Sequence, residues 1–187
     1  AFESYRDGDY DIYLMNVDGS NQTNIVNNLT DYDWHPSISP DGTQIVFVSR
    51  RHGNHEIFVM NLDGTQQVRL TERITTGLYD TWPVWSPDGT KIAFMSSRDS
   101  NDEIYIMDAD GSNQTNITNF PWADEVLPTW SPDGTSLLFS GALGDSLEVD
   151  TLGLYTMTMA QREAKRIYTN IPNYSPFIAP GAVHYLI

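Results

Sequence analysis

Trp85-Ser86-Pro87-Asp88-Gly89-Thr90 is one copy of a phrase that the chain repeats. The others are Ile38-Ser39-Pro40-Asp41-Gly42-Thr43, Trp130-Ser131-Pro132-Asp133-Gly134-Thr135 and a worn Ile178-Ala179-Pro180-Gly181-Ala182. Their second residues stand at 39, 86, 131 and 179, steps of 47, 45 and 48. Such a period marks a stacked repeat architecture in which one supersecondary unit is copied. Within the phrase, Pro and Asp preset a tight turn and Gly supplies the positive φ. Asp41, Asp88 and Asp133 therefore read as turn formers rather than as a chemical set.

Outward from the phrase, each unit has the same order. A lead-in segment ends in a proline (Pro36, Pro83, Pro128 or Pro176). The turn follows, then an apolar run such as Gln44-Ile45-Val46-Phe47-Val48-Ser49, then a second run such as Glu56-Ile57-Phe58-Val59-Met60. An Asp-Gly pair and a short outer segment close the unit, giving four strands joined by hairpin turns with no helical period. Asp110 to Ile117 repeats Asp18 to Ile25 letter for letter, which points to duplication. The fourth unit differs, with about five additional residues between Gly141 and Gly153 in a stretch that holds Asp145, Glu148 and Asp150.

Sheets apolar on both faces need cover on both, and radial stacking around an axis supplies it. The predicted fold is all-β, a β-propeller of four-stranded antiparallel blades with four repeats. Phe2, Phe47, Phe94 and Phe139 are equivalent; their steps of 45, 47 and 45, with 50 more to return to Phe2, match the chain length of 187. A single domain over 1–187 is expected, its first blade split between the N-terminal residues and the C-terminal strand Val183–Ile187. Three arrangements satisfy the count: a ring closed by its own tail, a portion of a longer propeller, and a protomer that exchanges its terminal strand with a neighbour.

Composition narrows the partners. Ten basic and 25 acidic residues give a net charge of −15, which opposes nucleic acid and favours cationic groups. Interrupted hydrophobicity predicts no membrane insertion. The absence of cysteine excludes disulfides, thiolate metal sites and cysteine nucleophiles. Ala1 is neither an initiator Met nor the start of an apolar leader, so the chain is expected to have lost a leader or to be part of a longer one.

The chain resembles the TolB-like propellers built from WD40-like (PD40) repeats. The residues that carry the resemblance are Trp85 to Gly89, Ile92-Ala93-Phe94, Ser97-Arg98, Glu103 to Met107 and Asp110-Gly111-Ser112, with their counterparts in the other units. It covers essentially the whole chain. The resemblance implies relatives of two kinds, a periplasmic protein-binding component of the bacterial envelope and the gating propellers of prolyl-oligopeptidase-like peptidases. TolB itself resembles a six-bladed propeller behind a separate domain, whereas four repeats are present here.

Candidate site residues lie three positions before each lead-in proline: Asp33, Asp80, Glu125 and Asn173. In a propeller these segments feed the innermost strands, so the four side chains are expected to ring the channel mouth, beside Trp34, His35, Tyr79, Trp82 and Trp122. Acidic and aromatic groups on a concave mouth suit a basic peptide, a cation or a sugar; the alternative is that they cap backbone and pack the channel. Arg6 with Asp11, Arg51 with Glu56 and Arg98 with Glu103 are expected as cross-strand ion pairs. The fourth unit has no such Arg.

Asp7, Asp9 and Asp11 have the opening spacing of a calcium loop without its glycine or distal Glu, and calcium is the one cofactor they suggest. His52 and His55 share a hairpin tip, a weak metal pair. Sequons at Asn21, Asn28, Asn113, Asn116 and Asn173 become glycan sites if the source is a secreting eukaryote. No nucleophile elbow, zinc-protease helix or phosphate loop is present. The expectation is a non-enzymatic, exported module, periplasmic or extracellular, that binds protein or peptide at the channel mouth. The alternatives are a subunit of a head-to-tail fibre and a peptidase's gating propeller.

Overall fold

The computed structural model describes residues 1–26, 31–72, 75, 77–121, 123–141, 153–169, 177–178 and 185–186. It is all-β and antiparallel. The first sheet holds β1 (Phe2–Ser4), β2 (Asp11–Leu14) and β3 (Thr23–Asn24). The second holds β4 (Asp33–Ile38), β5 (Gln44–Ser49), β6 (Glu56–Asn61) and β7 (Val68–Arg69). The third holds β8 (Asp80–Trp85), β9 (Lys91–Ser96), β10 (Glu103–Asp108) and β11 (Thr115–Asn116). The fourth holds β12 (Glu125–Trp130), β13 (Ser136–Gly141), β14 (Gly153–Thr158) and β15 (Ala164–Thr169). A short pair, β16 (Phe177–Ile178) and β17 (Tyr185–Leu186), ends the chain.

The sheets are blades. Their first strands sit side by side, β4 against β8 and β8 against β12, while β7, β11 and β15 lie on the outside. Both faces of the middle strands are buried, because each face meets a neighbouring blade; β5 and β9 bury every residue after the first. Each apolar cluster is consequently shared by two successive blades. Phe94 and Ile92 pack with Val46, Ile57 and Val59 of the blade before, and Phe139 and Leu137 with Ala93 and Ile104. Phe47, Phe94 and Phe139 are fully buried, as their repeat positions require.

Among the described residues β1 pairs with β2, whereas β16 pairs with β17 and packs on β12. No helix there is long and apolar enough to cross a membrane.

The repeated phrase folds as its residues dictate. Asp88 Oδ1 accepts from the Ser86 hydroxyl at 2.6 Å and the Thr90 amide at 3.0 Å, and the Lys91 amide donates back to Ser86 Oγ at 2.9 Å. Asp41 and Asp133 do the same, and all three carboxylates are held below their ordinary pKa, first by the serine hydroxyl. The Asp-Gly turns at Gly64 and Gly111 pack into the seams between blades. Gly64, at φ +83°, lies so close to the first blade that a Cβ would stand 2.1 Å from the Ile25 carbonyl oxygen.

The arginine pairings differ from the expectation. Arg51 donates to Asp33 at 3.2 Å and Arg98 to Asp80 at 3.0 Å, acids of the inner strand rather than of the next hairpin strand. Arg51 lies over the rings of Phe47 and Phe58, and Arg98 over those of Phe94 and Tyr105. That position sends each guanidinium across the sheet to the innermost strand. Glu56 pairs with Arg69 at 3.3 Å, and Glu103 accepts from Thr118 Oγ1 at 2.6 Å. Arg6 lies over Tyr13 and donates to Ser4 and Gln22. In the fourth blade Arg166 of the outer strand donates to the Tyr155 hydroxyl at 2.8 Å.

Candidate channel-mouth site

The inner strands share a local device. Each has a bulge, between Trp34 and Ser37, Thr81 and Val84, and Val126 and Thr129. At the bulge stand His35 (φ 52°), Trp82 (φ 54°) and Leu127 (φ 58°), each immediately before the lead-in proline. A bulge re-aims one side chain relative to the ladder. Positive φ is costly for these residue types, by about 1–2 kcal/mol each. The prolines are visible in the sequence, but the strain beside them is not.

The expected ring of acids is turned inward. Asp33, Asp80 and Glu125 are fully buried, because the strand's alternation points them into the blades. Asp33 and Asp80 meet arginines there, and Glu125 meets Glu103. Burial, followed by the Glu103 carboxyl, pushes Glu125 up to about 9. What the bulges present instead is His35 and Trp82, stacked with ring centroids 3.5 Å apart and planes 18° apart. His35 Nδ1 and Thr81 Oγ1 are 2.9 Å apart, and the His35 amide donates to Glu3 Oε2 at 2.8 Å. Desolvation, with repulsion from His55, lowers the His35 pKa to about 4, so the stacked ring is neutral near pH 7. Trp82 remains 39% exposed beside it.

Around this stack runs an aromatic rim in which Tyr5, Tyr10 and Tyr32, not foreseen at the mouth, join Trp34 and Tyr79. Tyr5 meets Tyr10 edge-on at 5.0 Å, Tyr10 lies 6.2 Å from Tyr32, Tyr32 6.1 Å from Trp34, and Trp34 meets His55 edge-on at 4.9 Å. Tyr79 continues it at 6.3 Å from His55. Comparing repeats could have found it, since Tyr10, His55 and Asp102 are equivalent, as are Tyr32, Tyr79 and Asp124. Beneath the rim the blades are stitched by backbone: the amides of Asp33, Asp80 and Glu125 donate to the carbonyls of Tyr10, His55 and Asp102 at 2.7, 2.9 and 2.7 Å.

Trp122, Asn173 and Asn28 lie outside the described residues, as do Asp145, Glu148 and Asp150. The suggested calcium loop is not gathered around a centre. The Tyr13 hydroxyl donates to Asp7, Asn24 donates to a buried Asp11 at 2.7 Å, and no group of three potential ligands converges among the described residues. His52 stacks on Phe58 while His55 turns to Trp34, so the two histidines serve different neighbours. Asn21 and Asn113 are exposed at equivalent turns, and Asn116 is half-buried.

The profile of the TolB beta propeller domain (PD40) matches residues 1–82 and 75–184. The chain belongs to this family. The solved structure of a putative TolB from Agrobacterium tumefaciens is 27% identical, covering 87% of this chain and 57% of that one, with a TM-score of 0.74. TolB from Acinetobacter baumannii is 22% identical, covering 93% of this chain and 41% of that one at a TM-score of 0.71. A puromycin-hydrolyzing peptidase of Mycobacterium tuberculosis shares the fold at 15% identity and TM-score 0.67, with 90% of this chain and 27% of that one covered. The chain thus spans about half the length of the solved TolB structures. No curated protein sequence matches it.

Proposed function

We propose that this TolB-like domain is a non-catalytic, exported module, periplasmic or extracellular, that takes a protein or peptide partner on its channel-mouth face. One observation carries the reading: three successive inner strands hold a non-glycine residue at positive φ, and two of these, His35 and Trp82, form a stack with an exposed indole. Strain of this kind persists where surrounding structure over-determines it, and it clusters at ligand clamps. Large, rigid, half-exposed aromatics are the side chains that dominate binding hot spots. A neutral His35 suits stacking on Trp82, since a charged imidazole there would carry a desolvation cost. The likeness to TolB supports the exported setting.

The test is selection of linear peptides from a random display library on the folded domain, followed by affinity measurement with variants. Trp82→Ala is expected to weaken selected peptides by at least about tenfold, the scale of a hot-spot aromatic. Lys165→Ala, on the outer strand, is the control and leaves affinity unchanged. Peptides that bind wild type and Trp82→Ala equally would remove this face from consideration. Charge reversal at Asp33 or Asp80 is no test, because it breaks a buried ion pair.

A further inference from the structure

A cavity of about 390 Å³ opens at the rim between the first two blades, lined by Glu3, Tyr5, Tyr10, Tyr32 and Trp34. Tyr5, Tyr10 and Tyr32 are 54%, 42% and 38% exposed, large values for aromatic rings that also touch one another. None of the five lining residues is cationic. The repeats show that the blade does not demand this lining. Where the first blade has Glu3, the next two have the apolar Val48 and Met95; where it has Tyr5, they have Arg50 and Ser97; where it has Tyr10, they have His55 and Asp102. Glu3, Tyr5 and Tyr10 are thus particular to the first blade, and the second blade completes the lining with Tyr32 and Trp34.

The same molecule shows what such a set can hold. Arg51 rests over two rings with its centre 4.6 and 5.6 Å from their centroids while donating to Asp33, and Arg98 does so at 4.2 and 5.4 Å while donating to Asp80. Rings plus a carboxylate are this fold's own arginine holder. The rim cavity repeats those components without the arginine. A planar guanidinium stacks on aromatic faces and forks onto carboxylates in a way an ammonium does not. Glu3 is engaged by the His35 amide through Oε2, and a carboxylate accepts further donors. The net charge of −15 favours a cationic visitor.

We infer that this rim cavity is an aromatic cage for an arginine side chain of a peptide partner. The inference rests on the peptide-binding reading above and names one anchor of that peptide. The cage joins the mouth directly, through neighbouring Trp34 and His35.

The experiment uses small probes, so that the cage is tested apart from any peptide. The ¹⁵N-labelled chain is titrated with N-acetyl-arginine amide and with N-acetyl-citrulline amide, its neutral isostere, following the Trp34 indole N–H. The arginine probe is expected to shift that resonance saturably and to bind at least about tenfold more tightly than citrulline. Tyr10→Ala and Glu3→Gln each weaken it about three- to tenfold, Gln keeping an acceptor for the His35 amide. Lys165→Ala, on the outer strand of the fourth blade, leaves the arginine probe unaffected. Equal affinity for the two probes, shifts confined to other residues, or no saturation would overturn the cage.

Discussion

Glu125 and Glu103 bury their carboxyl groups against one another at the seam between the third and fourth blades. The preceding seam has cations in both corresponding places, Arg98 on Asp80 and Arg69 on Glu56. At the later seam Asn116 replaces Arg69, and residues 142–152, where the fourth blade's arginine would fall, contain no Lys or Arg. Gly141 faces Glu125 where Ser49 and Ser96 face Asp33 and Asp80. A Cβ on Gly141 would stand 3.3 Å from Glu125 Cγ, so the longer acid and the smaller partner accommodate each other. Burial, more than the neighbouring Glu103 carboxyl, is what keeps the proton on Glu125.

This sets the sign of a pH dependence. Burial and Glu103 raise the folded pKa of Glu125 from 4.5 to about 9, so the folded state keeps a proton that the unfolded state releases. The associated stability is complete below pH 4.5 and is lost as pH rises through about 9. In urea unfolding, the stability of Glu125→Gln relative to wild type should grow with pH across that window, by at most about 1.4 kcal/mol per pH unit. A difference independent of pH would refute a proton retained on Glu125.

Removing Arg98 takes from the buried Asp80 the guanidinium that pairs with it. Arg98→Ala should cost about 3–5 kcal/mol in chemical denaturation, and Arg98→Lys should recover only part, since it loses the planar fork to Ser96, Gln114 and Asp80. Full rescue by Lys would reduce the guanidinium to a point charge.

Gly19 and Gly64 share φ +83° but not their surroundings. No atom lies within 4 Å of a Cβ on Gly19, while one on Gly64 would collide with Ile25. Gly19→Ala should cost about 1–2 kcal/mol from backbone strain alone. Gly64→Ala adds about 1–3 kcal/mol of overpacking, and thermal unfolding of the pair measures how tightly the first seam is closed.

Phe94→Ala empties a buried site between two blades and should destabilise by about 3–5 kcal/mol. A loss below about 1 kcal/mol would mean that the seam collapses to fill the space.

The period of Trp85 to Thr90 made the blades legible, because turn chemistry and two-sided apolar strands are written locally. The fate of Asp33 and Asp80 was not, for a geometric reason. Alternation along a strand fixes which residues share a face, but the face that turns inward depends on the bulges at His35 and Trp82, which nothing in the letters marks. The rim failed differently. Tyr5, Tyr10 and Tyr32 are far apart by strand logic and meet only because successive hairpin tips are brought side by side. The departure of Tyr5 and Tyr10 from the residues at equivalent positions was the available signal.

The amide-to-carbonyl stitch from Asp33, Asp80 and Glu125 to Tyr10, His55 and Asp102 has a consequence for how such a molecule diversifies. The bond is made wholly by main chain, so the side chains standing over it are unconstrained by the join they cover. Tyrosine, histidine and aspartate occupy one position in three blades over hydrogen bonds of nearly equal length. The upper surface is thus a keyboard whose keys can be exchanged singly, and new recognition surfaces can be grafted there without redesigning the frame beneath.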